Sequence, residues 1–269
     1  MNVIIPMAGA GQRFVDAGYK THKPAIMTID RRDGKEYPMV VCATRDLPGI
    51  EADGVNVTYI DRTFHRKDGV EDAIKEYYPQ ASFITVDALT DGQACTCMLA
   101  KEKINNEDSL LIAGCDNGMV MNQNEFEALT KQCDVIVFTY RHNDAVLAKP
   151  DAYGWMIVDS ENKIAGTSIK KAISDHPMDD HAVVATFWFR RGKDFVAATE
   201  KMIAENDRIN NEFYVDQVIQ HALKLGLDAR VFEIERYIGW GTPKDYEDYT
   251  KTLNYWKNFI NSKGFIPGN

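Results

Sequence analysis

The sequence predicts an α/β fold: a Rossmann-like, mostly parallel mixed sheet flanked by helices, with an antiparallel addition in the second half. Three observations carry this. Apolar, β-branched runs recur, each followed by a helical pattern; from about residue 150 such runs follow one another with few helices between; helical patterns then return towards the C-terminus. Strands alternating with helices at this spacing give βαβ units and a parallel sheet, whereas consecutive strand-like runs pair antiparallel.

The elements follow in chain order. Val3, Ile4 and Ile5 form a short buried strand that Pro6 ends. NVTYIDR (56–62) is a strand before a helical stretch at 66–78, and ASFITV (81–86) one before 92–104. SLLIAG (109–114) precedes a helix at 123–132, and DVIVFTY (134–140) is the next strand. WMIVD, NKIAGTSI and HAVVATFWF form the antiparallel addition. Helices are expected at 192–205 and 212–225, then a strand ARVFEI (229–234) and a last helix over 243–262. That helix carries Tyr246, Tyr249, Leu253, Trp256 and Ile260 at helical spacing, a stripe suited to core packing or, in a homo-oligomer, to a subunit contact. Repeats, low-complexity stretches and linkers are missing, so one domain over 1–269 is the economical reading.

At 269 residues and 45% hydrophobic the chain buries a full core. Its 31 Lys and Arg against 40 Asp and Glu give a net charge of −9, which argues against nucleic acid as a partner. A local cluster of Arg and Lys still suits a small anion. No stretch approaches the length of apolar chain that crosses a membrane, and no signal segment opens the sequence, so no membrane partner and a soluble, cytoplasmic protein are expected. The five cysteines (Cys42, Cys95, Cys97, Cys115, Cys133) fit reduced thiols. Cys95 and Cys97 stand two apart in a helical stretch and point away from each other, which disfavours a metal pair.

MAGAGQRF, directly after the first strand, is the most telling stretch. Gly9 and Gly11 free the backbone to turn and leave its N–H groups uncovered, while Arg13 and Lys23 add positive charge. A dinucleotide fingerprint fails here, although Asp30 lies at the distance of a ribose-binding acid: Phe14 takes the third glycine position, and Gly18 and Pro24 leave no room for a crossover helix. A Walker G-K-[ST] is absent. A flexible glycine loop with an arginine, and a lysine before a proline, suits a phosphate chain.

PMAGAGQRF followed by HKPAI resembles the signature of the sugar-phosphate nucleotidyltransferases, which join a nucleoside triphosphate to a sugar 1-phosphate and release pyrophosphate. The likeness recurs along nearly the whole chain. TDGQACT (90–96) resembles the family's loop against the nucleobase and GCDNG (114–118) its metal-binding strand end. PDAYGWMIVD (150–159) is similar to its Tyr-Gly segment beside the sugar, NNEFYVDQVI (210–219) to its Glu-bearing segment, and GWGTPKDYEDY (239–249) to its closing Gly-Thr motif.

The resemblance implies a nucleotide-binding half over about 1–140 and an acceptor-binding half over about 141–269. It also implies a supply of precursors for capsule or other cell-surface polysaccharide. Ala8, Gly9, Ala10 and Gly11, with Arg13, would hold the β and γ phosphates, Gly92 and Gln93 the nucleotide, and Lys23 the α or attacking phosphate. Asp116 would ligate Mg²⁺, the implied cofactor, together with substrate phosphates. Gly154 would lie beside the acceptor sugar, Lys170 or Lys171 would serve its phosphate, and Glu212 would read a hydroxyl.

Two departures bear on this. The family's second Asp, two residues before the Gly-Thr, is Gly239 here, so the metal relies on Asp116 and phosphates or another acid such as Asp216 assists. The family's Glu-Lys-Pro reads IKKAISD here; two lysines without the Glu suit an acceptor with its own anionic group, or face solvent. Asp87 stands near the family's base-reading glutamine; a carboxylate there leans to cytidine or guanine, that is CTP or GTP, or else caps the turn. A glycosyltransferase of similar fold is one rival, though the strand end reads C-D-N-G without an Asp-x-Asp pair. A non-catalytic nucleotide-binding module is the other. The six histidines offer no H-x-x-x-H pair for zinc chemistry.

Overall fold

The strand β1 (Asn2–Pro6) is buried along its whole length, as its apolar run requires. A computed structural model describes residues 1–263; residues 264–269, the end of the expected 1–269 domain, lie outside the described residues. After β1 come a short antiparallel ribbon, β2 (Met27–Ile29) and β3 (Glu36–Pro38), then β4 (Asn56–Arg62), β5 (Ser82–Val86), β6 (Leu110–Ala113), β7 (Asn117–Val120) and β8 (Val135–Tyr140). The second half supplies β9 (Gly154–Val158), β10 (Ile164–Ile169), β11 (His181–Phe189), β12 (Ala229–Glu233) and β13 (Arg236–Gly239).

Among the described residues a nine-stranded sheet runs β10-β9-β11-β6-β1-β4-β5, with β8 beside β11 and β12 beside β8. β6, β1, β4 and β5 are parallel, as the alternating pattern predicted. β11 runs antiparallel to β6, β8 and β9, and β10 pairs antiparallel with β9, which is the expected addition. β8 joins the sheet through β11 and pairs in parallel only with β12. Alternate residues of β1 face opposite layers: Val3 and Ile5 lie in one apolar cluster with Trp155 and Trp240, Ile4 in another with Phe187 and Phe213.

The stretch 66–78 is divided, at Asp68 and Gly69, into helices Thr63–Lys67 and Val70–Tyr77, because Gly69 takes a left-handed φ of 68°. The stretch 92–104 is likewise two short helices, Gln93–Met98 and Lys101–Ile104. Cys97 in the first is buried and Cys95 partly exposed, and the five cysteines are unbridged. Helices Gly192–Ala204, Val215–Lys224 and Pro243–Lys263 match the expected ones. Tyr246 and Tyr249 of the last helix donate from their hydroxyls to the carbonyls of Met27 (2.8 Å) and Ile29 (2.7 Å). Trp256 of the same stripe is 52% exposed, beside exposed Tyr255 and Phe259, so the stripe packs only over its first turns.

One ion-pair cluster ties the early ribbon to the region that follows β6. Asp46, buried, accepts from Arg31 (2.6 Å) and from the main-chain N–H of Met119 in β7 (3.0 Å). Arg31 also donates to the Met119 carbonyl (2.8 Å), and Arg45 pairs with Asp30 at 2.9 Å. Truncating one member of such a cluster leaves its partners unpaired, so Asp46→Ala should lower unfolding stability by about 3 kcal/mol, read in urea titrations.

Candidate active site

Parallel pairing aligns Val3 with Leu111 and Ile4 with Ile112, so β1 and β6 end at the same edge of the sheet. The glycine loop after one therefore lies beside Asp116 after the other. A cavity of about 410 Å³ opens there, lined by Ala8, Gly9, Ala10 and Gly11, by Lys23, by Gly92 and Gln93, by Asp116 and by Glu212. Gly11 has φ 63° and precedes the five-residue helix Gln12–Asp16, a conformation that L side chains adopt with strain. A side chain at Gly9 would meet open space, so that glycine leaves the wall bare rather than relieving a clash.

Lys23 opens a single 3-10 turn, Lys23–Ala25, pinned by Pro24. Its Nζ donates to Asp116 Oδ2 at 2.7 Å across the cavity. Burial works to lower the lysine pKa, but Asp116 and Cys115 outweigh it and raise it. Burial likewise works to raise the Asp116 pKa, and Lys23 outweighs it, so both stay charged. The main-chain N–H of Trp240 donates to the Asp116 carbonyl (2.9 Å), and a side chain at Gly241 would start 3.3 Å from Asp116 Oδ2. The closing Gly-Thr motif thus wraps the carboxylate. Arg13 is exposed and does not line the cavity. Its charge acts on Lys23, Asp116, Tyr153 and Lys170.

The loop 90–96 reaches the segment 210–219 through Gly92, whose φ is 126° and whose absent side chain would lie 2.5 Å from the Phe213 main-chain nitrogen. Ala94 N–H donates to the Phe213 carbonyl (2.9 Å), and Phe213 N–H to that of Asp91 (2.8 Å). Glu212 is delivered to the cavity by this docking. Gly154 opens β9, with Asp216 packed so closely that a side chain at 154 would begin 2.0 Å from its Oδ2. Burial pushes the Asp216 carboxyl up to about 6 against the opposing charge of Lys170. Lys170, at φ 59°, donates from Nζ to the Ala152 carbonyl and lies over the Tyr214 ring at 5.6 Å. Burial lowers its pKa, with Asp216 opposing.

Several expected residues stand apart. Lys171 is exposed, whereas Lys170 is half-buried. Asp87 accepts from the Thr63 hydroxyl and is not among the cavity-lining residues. Asp216 sits with Gly154 and Lys170 rather than with Asp116. The ring of Tyr237, stacked on Tyr140 at 4.4 Å, comes within 3.1 Å of where a side chain at Gly239 would start. A side chain at Gly239 would therefore crowd the Tyr237 ring unless the ring shifts by a few tenths of an ångström.

The cavity also has walls that sequence reasoning missed: His22, Phe64, His65 and Ala185. His22 stood next to Lys23 in plain view, but Phe64 and His65 reach the site only because β4 lies beside β1. Ala185 holds φ 59° in an irregular stretch of β11, its carbonyl accepting from Gly114 N–H at 3.1 Å. His65 is buried and accepts at Nδ1 from the Arg62 main-chain N–H (3.2 Å).

No protein-family model matches the chain, and no curated relative matches it in sequence. Solved structures do. A nucleoside-diphosphate-sugar pyrophosphorylase from Vibrio cholerae RC9 superposes with a TM-score of 0.75 at 19% identity, over 93% of this chain and 99% of that one. The fold is theirs. A UDP-glucose pyrophosphorylase complexed with UDP-glucose gives 0.66 at 16% identity, over 96% and 98% of the two chains. The inositol-1-phosphate CTP transferase from T. maritima gives 0.65 at 15%, over 94% of each. The α/β fold that the motifs implied is thus shared with pyrophosphorylases and nucleotidyltransferases end to end. Among the described residues no helix is long and apolar enough to cross a membrane.

His65 gives the site a pH signature. Burial first, and His22 second, push its pKa from the ordinary value of 6.5 down to about 4. Between these values the unfolded chain holds the proton and the folded one does not, so stability falls as pH drops from 6.5 towards 4. Unfolding midpoints measured over that window should decline less steeply in His65→Asn than in the parent.

Proposed function

We infer that the protein is a nucleotidyltransferase that joins a nucleoside triphosphate to a phosphorylated sugar or related small acceptor and releases pyrophosphate. The observation that carries this is the Lys23–Asp116 pair at 2.7 Å, set across a cavity whose wall is the glycine loop. A fixed cation, a fixed anion and bare backbone are what a metal-bound triphosphate needs. The fold shared with pyrophosphorylases supports the same reading.

In the reaction, an oxygen of the acceptor phosphate forms a bond to the α-phosphorus. The bond from that phosphorus to the α–β bridging oxygen breaks, and pyrophosphate departs with the electron pair. The acceptor oxygen is already anionic, so no base is required; the protein's work is positioning and charge neutralisation. Lys23 would place a point charge on the α or attacking phosphate. Arg13, close enough to bias both Asp116 and Lys170, would neutralise charge where donor and acceptor meet. Lys170 would hold the acceptor phosphate and Glu212 a hydroxyl.

The donor set fits Mg²⁺. Asp116 offers one cavity-facing carboxylate, and among the described residues no cluster of three His, Cys, Asp or Glu could cage a metal alone. Mg²⁺ is commonly held by one or two carboxylates plus substrate phosphates. Asp116 would hold it, and the ion would offset phosphate charge. A product of this kind would serve as an activated precursor for cell-surface polysaccharide.

Pyrophosphate release should be assayed with Mg²⁺ and each nucleoside triphosphate against a panel of sugar 1-phosphates and non-sugar phosphates. Release should require one nucleotide and one acceptor, and fall about 100-fold or more in Lys23→Ala and in Asp116→Ala. Retained release in both variants would overturn the assignment. Within the same assay, Lys170→Ala should raise the acceptor KM about tenfold while Lys171→Ala leaves it unchanged, since a charge-assisted hydrogen bond of that size is at stake only for the half-buried lysine.

A further inference from the structure

His22 directly precedes Lys23 and lines the same cavity. Asp68, in the turn after helix Thr63–Lys67, reaches it twice with one oxygen. Oδ2 accepts from the His22 main-chain N–H at 2.9 Å and lies 2.6 Å from ring Nδ1. An ionised carboxylate has no proton to give, so Nδ1 carries the proton of that contact. Burial works to raise the Asp68 pKa, but the His22 main-chain and ring donors outweigh it and hold the carboxyl below its ordinary value. The ring also stacks on Phe64, 4.2 Å centroid to centroid and 25° between planes. Tautomer and orientation are both held, and Nε2 is the nitrogen left for a ligand.

A carboxylate behind an imidazole stabilises its protonated form, and a phosphate in front would do the same. Lys23 adjoins His22 in the chain, and the Arg62 guanidinium lies 5.0 Å from the Phe64 ring. His65, 5.7 Å away edge to face, accepts at Nδ1 and is neutral above its depressed pKa. A polyanion entering the cavity would place negative charge in front of the ring, opposite Asp68.

We propose that His22 contacts the phosphates of the bound nucleotide through Nε2 and takes up a proton as they bind, with Asp68 as its positioning residue. This rests on the triphosphate reading of the cavity. The step is a proton transfer alone: a buffer acid gives its proton to Nε2, and the new N–H donates to a phosphate oxygen.

The test uses the full chain and inorganic pyrophosphate. Affinity is measured by calorimetry, and the histidine ring nitrogens by ¹⁵N NMR at neutral pH, with His22 assigned through its own backbone so that no variant is needed for the wild-type spectrum. On saturation, His22 Nε2 should move from the unprotonated to the protonated region while Nδ1 stays protonated. His22→Gln should weaken pyrophosphate binding about tenfold, the scale of one charge-assisted hydrogen bond, and Asp68→Asn should leave the Nε2 shift incomplete. If pyrophosphate binds in a Lys23-dependent way while His22 Nε2 stays unprotonated, the inference about His22 falls and the triphosphate reading stands. If pyrophosphate does not bind the wild-type protein at all, both fall.

Discussion

Everything at the candidate site depends on the parallel pairing of β1 with β6. Because both strands run the same way and stop at the same edge, the glycine loop and the Asp116 strand end meet, although more than a hundred residues separate Gly9 from Asp116 in the sequence. The pairing is enforced from both faces. Ile4 and Ile112 are buried on one side, Val3 and Leu111 on the other, and a shift of one residue would exchange the two faces.

Around that edge the charges are organised locally against the protein's overall sign. The chain is acidic, yet Lys23, Arg13 and Lys170 act on one small region and Asp116 is the carboxylate that Lys23 neutralises. In the Lys23–Asp116 pair each group is the other's counter-charge. Such a pair keeps both groups ionised in a partly buried cavity.

The two halves of the chain are joined by backbone as well as by charge. Gly92 lets the loop 90–96 settle on Phe213, and that contact presents Glu212 to the cavity from the far side. Gly154 likewise lets Asp216 of the helix Val215–Lys224 pack against the start of β9. In both places a side chain would collide with the neighbouring segment, so the glycines permit close approach between segments distant in sequence.

The sequence by itself determined the layer architecture, because strands and helices are written in local periodicity: 56–62, 109–114 and 134–140 appear as expected, and so do the antiparallel runs after residue 150. It also marked the glycine loop after the first strand and Lys23, whose residue types suit a phosphate chain without any long-range information, while Asp116 was singled out mainly by the family resemblance. Only the tertiary structure decided which of Lys170 and Lys171 turns inward, since burial depends on what packs above a loop. It alone showed the Tyr237 ring close to Gly239, Asp87 held by Thr63, and Asp216 against Gly154. The His22–Asp68 contact belongs to the same class. The two residues lie 46 positions apart, and nothing in either local sequence pairs them until β4 lies beside β1. Periodicity reports what each segment buries; which side chains meet across segments is set by packing.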